Sequence, residues 1–172
     1  MFIEAKKLIG LPVAATDTQS KVGEINQILV DPNNGNLMGF LVSVGGSTSW
    51  RIFSPKKVLS VTDIREWDSQ AIITESIDNL VMPAEIIRIK DLLEKKINFI
   101  GMRAKTESGK NLGIVEDLLI NTESQSVEKY YLKDLLGDSR IFLSDKVIKI
   151  DKAIVFSDDV VEPPPGAAGA VA

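Results

Sequence analysis

Two residue types that much protein chemistry relies on are missing: the 172-residue chain contains neither cysteine nor histidine. Without Cys there is no disulfide, no thiolate metal site and no thiol nucleophile. Without His, Ser–His and Cys–His catalytic pairs and ordinary zinc sites are excluded as well. Long apolar runs are also lacking. None approaches the ~18 residues of a membrane-spanning helix, and Met1-Phe2-Ile3-Glu4-Ala5-Lys6-Lys7 lacks the order of a secretory signal. Absent cysteines fit a reducing compartment, so a cytoplasmic location is expected. Nor is there an excess of positive charge: 20 Lys and Arg stand against 24 Asp and Glu, which disfavours nonspecific phosphate binding and makes nucleic acid an unexpected partner.

What is present is a repeat. Val22-Gly23-Glu24-Ile25-Asn26-Gln27-Ile28-Leu29-Val30-Asp31 returns as Leu112-Gly113-Ile114-Val115-Glu116-Asp117-Leu118-Leu119-Ile120-Asn121. Leu8-Ile9-Gly10-Leu11 corresponds to Phe99-Ile100-Gly101-Met102, Arg51-Ile52-Phe53 to Arg140-Ile141-Phe142, Lys57-Val58 to Lys146-Val147, and Ala71-Ile72-Ile73 to Ala153-Ile154-Val155. The offset stays at about 90 residues until a loop, Asp63 to Gln70, that is peculiar to the first copy, and a self-similarity of this kind outranks local secondary-structure signals. It divides the chain into a first barrel-like domain over residues 1–76, a linker with a helix over 77–97, a second barrel-like domain over 98–160 and a Pro/Gly/Ala tail over 161–172.

Within each copy the apolar positions are three apart (Val22, Ile25, Ile28; Leu112, Val115, Leu118), superficially a helical spacing. Gly23, the β-branched Ile28 and Val30, and the turn signal Asp31-Pro32-Asn33-Asn34-Gly35 argue instead for a strand with a bulge that shifts the alternation by one. Leu37 to Val44 is its hairpin partner. Gly45-Gly46-Ser47 then turns the chain into a strand over Thr48 to Ser54, followed by Val58 to Val61 and Ala71 to Thr74. Short strands joined by tight turns imply all-β architecture: two tandem small antiparallel β-barrels. Residues 83–97 break the pattern. Pro83 suits a first helical position, and Ile86, Ile89, Leu93 and Ile97, widened by Ile87 and Leu92, form an apolar stripe. An amphipathic helix joining the barrels is expected, packed on the second barrel or used for homo-oligomerisation. The end of the chain, with Pro163-Pro164-Pro165, is expected to be a flexible or extended tail.

Candidate sites are few. Gly10, Gly23, Gly101 and Gly113 are expected to be structural, at bends or close backbone approaches. Carboxylates such as Glu24, Glu116 and Asp117 read as a solvated outer face, so no catalytic residues are assigned. Asp31 to Asn36 offers clustered oxygen ligands but lacks the loop length and distal Glu of an EF-hand, and reads as a hairpin turn. No metal site or cofactor is expected. Lys105, Lys110, Lys129 and Lys133 with Tyr130 and Tyr131 make a weak case for RNA, weakened by the interleaved Glu107, Glu123 and Glu128. Trp67, with Arg65 in the loop Arg65-Glu66-Trp67-Asp68, is either a binding anchor or a plug folded over an open barrel end. Trp67, Arg65, Tyr130 and Tyr131 are the candidate partner contacts.

The segments "LIGLPV … KVGEINQILVDPNNGNLMGFLVSV … RIFSPKKV" and "FIGMRAKTESGKNLGIVEDLLINTESQSVEKYYL" resemble the PRC-barrel, the small domain of the H subunit of the photosynthetic reaction centre, and are similar to the C-terminal domain of RimM-type ribosome-maturation factors. The resemblance covers most of the chain outside the linker helix and tail. It implies a tandem PRC-barrel protein used for docking or scaffolding, with no catalytic set to carry over. A non-enzymatic protein-binding adaptor is the expected function, with an RNA- or ribosome-associated assembly factor as the alternative.

Overall fold

The computed structural model describes residues 1–45 and 55–160. The strand expected over Thr48 to Ser54 and the tail over 161–172 lie outside the described residues. The first half contributes β1 (Phe2–Glu4), α1 (Ala5–Leu8), β2 (Pro12–Ala15), β3 (Ser20–Val30), β4 (Leu37–Val44), β5 (Lys56–Ser60), β6 (Ile64–Trp67), β7 (Ile72–Thr74) and β8 (Leu80–Val81). After α2 (Ile87–Glu94) follow β9 (Arg103–Thr106), β10 (Asn111–Asn121), β11 (Ser126–Lys133), β12 (Ser139–Leu143), β13 (Val147–Ile150) and β14 (Ile154–Phe156). The protein is all-β and barrel-like. One sheet runs β6-β7-β2-β3-β4-β5-β8, the other β13-β14-β9-β10-β11-β12. Neither is purely antiparallel: β2 and β7 pair in parallel, as do β9 and β14.

The three-residue spacing is indeed a bulged strand. Register slips where Gly23 and Lys21 face consecutive residues of β2, and where Gly113 and Asn111 face consecutive residues of β9. It slips again between Ile25 and Gln27 and between Val115 and Asp117. Each slip inserts one unpaired residue, which turns a period of two into an apparent period of three and bends the strand. The Asp31 turn forms because its carboxylate accepts from the Asn33 backbone N–H and side-chain amide, both at 2.9 Å, while Gly35 takes a left-handed φ of 72°. Arg88 binds the other carboxylate oxygen, so both Asp31 oxygens are engaged in holding the turn and the helix.

Strand register corrects part of the repeat alignment. Phe40 lies opposite Leu59, and Tyr130 opposite Phe142, so β12 corresponds to β5 and Ile141 to Val58. The matches of Lys57-Val58 to Lys146-Val147 and of Arg51-Ile52-Phe53 to Arg140-Ile141-Phe142 therefore do not hold; residues 51–53 lie outside the described residues. Asp63 to Gln70 is no insertion either. Trp67 pairs with Ile72 as Ile150 pairs with Ile154, and Ile64 with Thr74 as Val147 with Phe156, so β6 has its counterpart in β13. The length difference falls chiefly between the end of β4 and the start of β5, against residues 134–138 between β11 and β12. Chemically similar tripeptides misled because strand pairing fixes position along the partner strand, whatever the local sequence match.

The two sheets share one contiguous apolar core and touch reciprocally. Leu37 N–H donates to Gln125 O at 2.7 Å, and Val127 N–H donates to Gly35 O at 3.0 Å. Lys6 N–H donates to the Asp117 carboxylate at 2.9 Å, and Gln27, at the position matching Asp117, donates its amide to Ile97 O at 3.4 Å. Strand β1 belongs to the second sheet, with Ile3 opposite Ile120, so a boundary drawn at residue 76 separates it from the strand it pairs with.

The expected helix over 83–97 is shorter. Pro83–Glu85 is a 3-10 turn and α2 begins at Ile87. Ile86, Arg88 and Ile89 line a cavity with Leu37, Met38 and Val61 of the first half. The helix thus leans on the first sheet, not simply on the second barrel that follows it, because its apolar side and Arg88 both find partners there.

Candidate docking face

Tyr130 is corrected first. It is 1% exposed, and its ring meets Phe156 edge-on at 5.6 Å; burial raises its pKa above the usual tyrosine value. It is a core residue, because strand alternation turns Tyr130 inward and Tyr131 outward. Trp67 is half-buried, with its ring 5.7 Å from Phe40 in an edge-on contact at 73°, while Arg65 and Glu66 beside it are exposed. The four candidate contacts are therefore not brought together: Trp67 and Arg65 lie on the first sheet, Tyr131 on the second.

Gly113 and Gly23 stand where backbones approach closely. A Cβ on Gly113 would lie 2.7 Å from the Lys133 carbonyl carbon and 2.8 Å from Asp134 Cα; on Gly23 it would lie 2.6 Å from Val42 Cγ1. Gly10 and Gly101 occupy open space at φ 88° and 87°, each donating its N–H at 2.8 Å, to Ile25 O and Val115 O respectively.

The outward faces of the two sheets can be compared row by row. In the first, Gln27, Leu41 and Val58 lie side by side on β3, β4 and β5. Leu41 is 5% exposed and Val58 fully buried, and the chain leaving α2 passes this row where Gln27 reaches Ile97. In the second, Asp117, Tyr131 and Ile141 occupy the matching places on β10, β11 and β12. There Ile141 is 60% exposed, and Ile114 and Leu143 in the adjoining rows are exposed too. Helix α1 reaches only the Asp117 end of the row. Its Lys7 has a raised pKa, chiefly through its 2.9 Å contact with Glu4, with Asp117 and Tyr131 adding to the shift.

Cations border this face. Lys133 and Arg103 flank Ile114, and Lys129 lies between Leu119 and Leu143. Among the described residues none of the three is ion-paired. Arg103, Lys105, Lys133 and Lys152 converge on a cleft of about 760 Å³ that Leu135 also lines. Leu135 and Leu136 are 91% and 89% exposed, yet their turn is well fixed. The Asp134 carboxylate accepts from Leu136 N–H at 2.9 Å and Asp138 N–H at 3.0 Å, and Arg140 lies 3.5 Å from it. Sequence reading missed these residues. Their signals were an apolar pair inside a turn, Leu135-Leu136, and three consecutive apolar residues, Ile141-Phe142-Leu143, on a strand where alternation buries only one.

Bulged strands and a shared strand order define a β-rich, barrel-like fold. Residues 1–80 match the family model of the PRC-barrel domain. No curated protein matches the chain. No helix among the described residues is long and apolar enough to cross a membrane.

Proposed function

We propose that this protein is a non-enzymatic, cytoplasmic protein-binding adaptor or scaffold built from two PRC-barrels, the second spanning residues 98–160, with residues 77–97 as connector and 161–172 as tail. The shared order of six strands in the two sheets, their bulges at matching positions and the reciprocal contacts support a duplicated unit. The observation that carries the binding reading is the set of exposed apolar side chains on the outward face of the second sheet, Ile141 with Ile114 and Leu143 in the adjoining rows, beside a half-buried Tyr131. Large exposed apolar patches rimmed by polar residues mark interaction sites on monomeric proteins. Arg65 and Trp67 remain a secondary contact, with Arg65 and Glu66 offering the exposed atoms and Trp67 the support beneath them.

The alternative, an RNA- or ribosome-associated factor, draws on the convergence of Arg103, Lys105, Lys133 and Lys152, but Tyr130 is unavailable for base stacking. A photo-crosslinking residue placed at Ile141 or at Glu66 in cells decides between them. Discrete protein adducts support the adaptor reading. Adducts containing RNA and no protein overturn it in favour of the alternative.

A further inference from the structure

We infer that the outer face of the second sheet, centred on Tyr131 and Ile141, seats an amphipathic helix from a protein partner, with acidic residues flanking its apolar stripe. This rests on the protein-binding reading above and specifies the partner's chemistry. The first sheet offers a comparison. In its matching row Leu41 and Val58 are buried and Gln27 is half-buried, with Gln27 bonded to Ile97 of the chain after α2 and Val58 paired to Val81 of β8. The second sheet keeps the apolar character of that row, with Tyr131 for Leu41 and Ile141 for Val58, and adds Leu143 and Ile114. Its short helix α1 stops at Asp117.

A helix fits this surface. Adjacent strands lie about 4.8 Å apart, close to the ~5–6 Å between side chains three or four apart on a helix, so one stripe can meet Tyr131 and Ile141 together. Charge selects the flanks: Arg103, Lys129 and Lys133 border the face without a carboxylate partner among the described residues, so carboxylates on the incoming helix complete them. A continuous anionic lipid surface fits less well, because it would meet Asp117 within the row itself, whereas a helix sets its carboxylates only at the flanking cations. The chain's own end cannot serve, since residues 162–172 hold three consecutive prolines and Val171 as their only large apolar residue.

The test titrates the full ¹⁵N-labelled chain with a synthetic amphipathic helical peptide carrying leucines on one face and glutamates on the other, and with its twin carrying lysines for glutamates. The glutamate peptide is expected to bind about tenfold more tightly at low salt, the preference shrinking as salt screens the flanking charges. Shifts should cluster at Ile114, Tyr131, Lys133, Ile141 and Leu143. Ile141→Asp should weaken binding about tenfold with an unchanged thermal midpoint, since that side chain is mostly exposed. Equal affinity for the lysine twin, shifts on another surface, tighter binding to phosphatidylserine vesicles or self-association through Ile141 would each overturn the inference. Protein adducts through Glu66 and none through Ile141 would also overturn it while leaving the adaptor reading standing. Absence of protein adducts at both positions overturns both.

Discussion

The backbone N–H of Leu37 donates to the carbonyl oxygen of Gln125 across 2.7 Å, joining the hairpin turn of one sheet to that of the other. Val127 and Gly35 return the bond, and β1 crosses in the opposite direction to pair with β10. Each half therefore holds part of the other.

Unfolding should accordingly be a single cooperative transition. Calorimetric and van't Hoff enthalpies are expected to agree, as they do for two-state domains. Deleting residues 1–4 removes the acceptor of the Thr122 N–H, Met1 O, so that amide, in the second half, should lose exchange protection. Two separate melting transitions in the intact chain would show the halves to be independent.

Gly113→Ala should be the costlier of two glycine substitutions. The added Cβ meets backbone atoms of Lys133 and Asp134 that cannot swing aside, and the residue sits at φ 104°. A loss of roughly 3 kcal/mol or more in denaturant unfolding is expected, in the upper range for single substitutions. Gly10→Ala, in open space, should cost only about 1–2 kcal/mol for its left-handed backbone. Equal effects would remove close approach as the explanation.

Trp67→Ala is expected to lower stability by about 2–3 kcal/mol, somewhat less than truncation of a fully buried aromatic. Loss of its edge-on contact with Phe40 is the cause. Urea denaturation of the variant measures it, and an unchanged midpoint would return Trp67 to the role of a free surface anchor.

Acid sensitivity should depend on two carboxylates at equivalent junctions. Ser76 holds the Asp17 pKa below the usual carboxylate range by hydrogen bonding, and the backbone N–H of Ser108 does the same for Asp158. A lowered folded-state pKa stabilises the protein above the unfolded pKa, and that stability is lost as pH falls through the folded value. Asp17→Asn with Asp158→Asn should therefore flatten the fall of the thermal midpoint below about pH 4. An unaltered acid limb in the double variant would assign that limb to other groups.

The sequence alone determined the strand class, the bulges and the turns. Those are local properties: Gly23 and Gly113 before apolar β-branched segments, and Asp31-Pro32-Asn33-Asn34-Gly35 at a hairpin, act within a few residues of themselves. The connecting helix was legible too, through Pro83 and the Ile89 and Leu92 spacing, although its start was placed too early and its length overestimated. Tertiary structure decided the rest. Which tripeptide matches which in the second part of the repeat depends on hydrogen-bond register across strands, and similar residues at Arg51 and Arg140 could not reveal it. Tyr130 and Tyr131 are identical in composition and adjacent in sequence, yet the pleat sends one into the core and the other to the surface. Val58 is buried where Val81 of β8 pairs with it, whereas β12, which carries the exposed Ile141, has no described strand beyond it, and β8 lies many residues further along the chain. No local pattern carries that information, because burial is a property of what the completed fold places overhead.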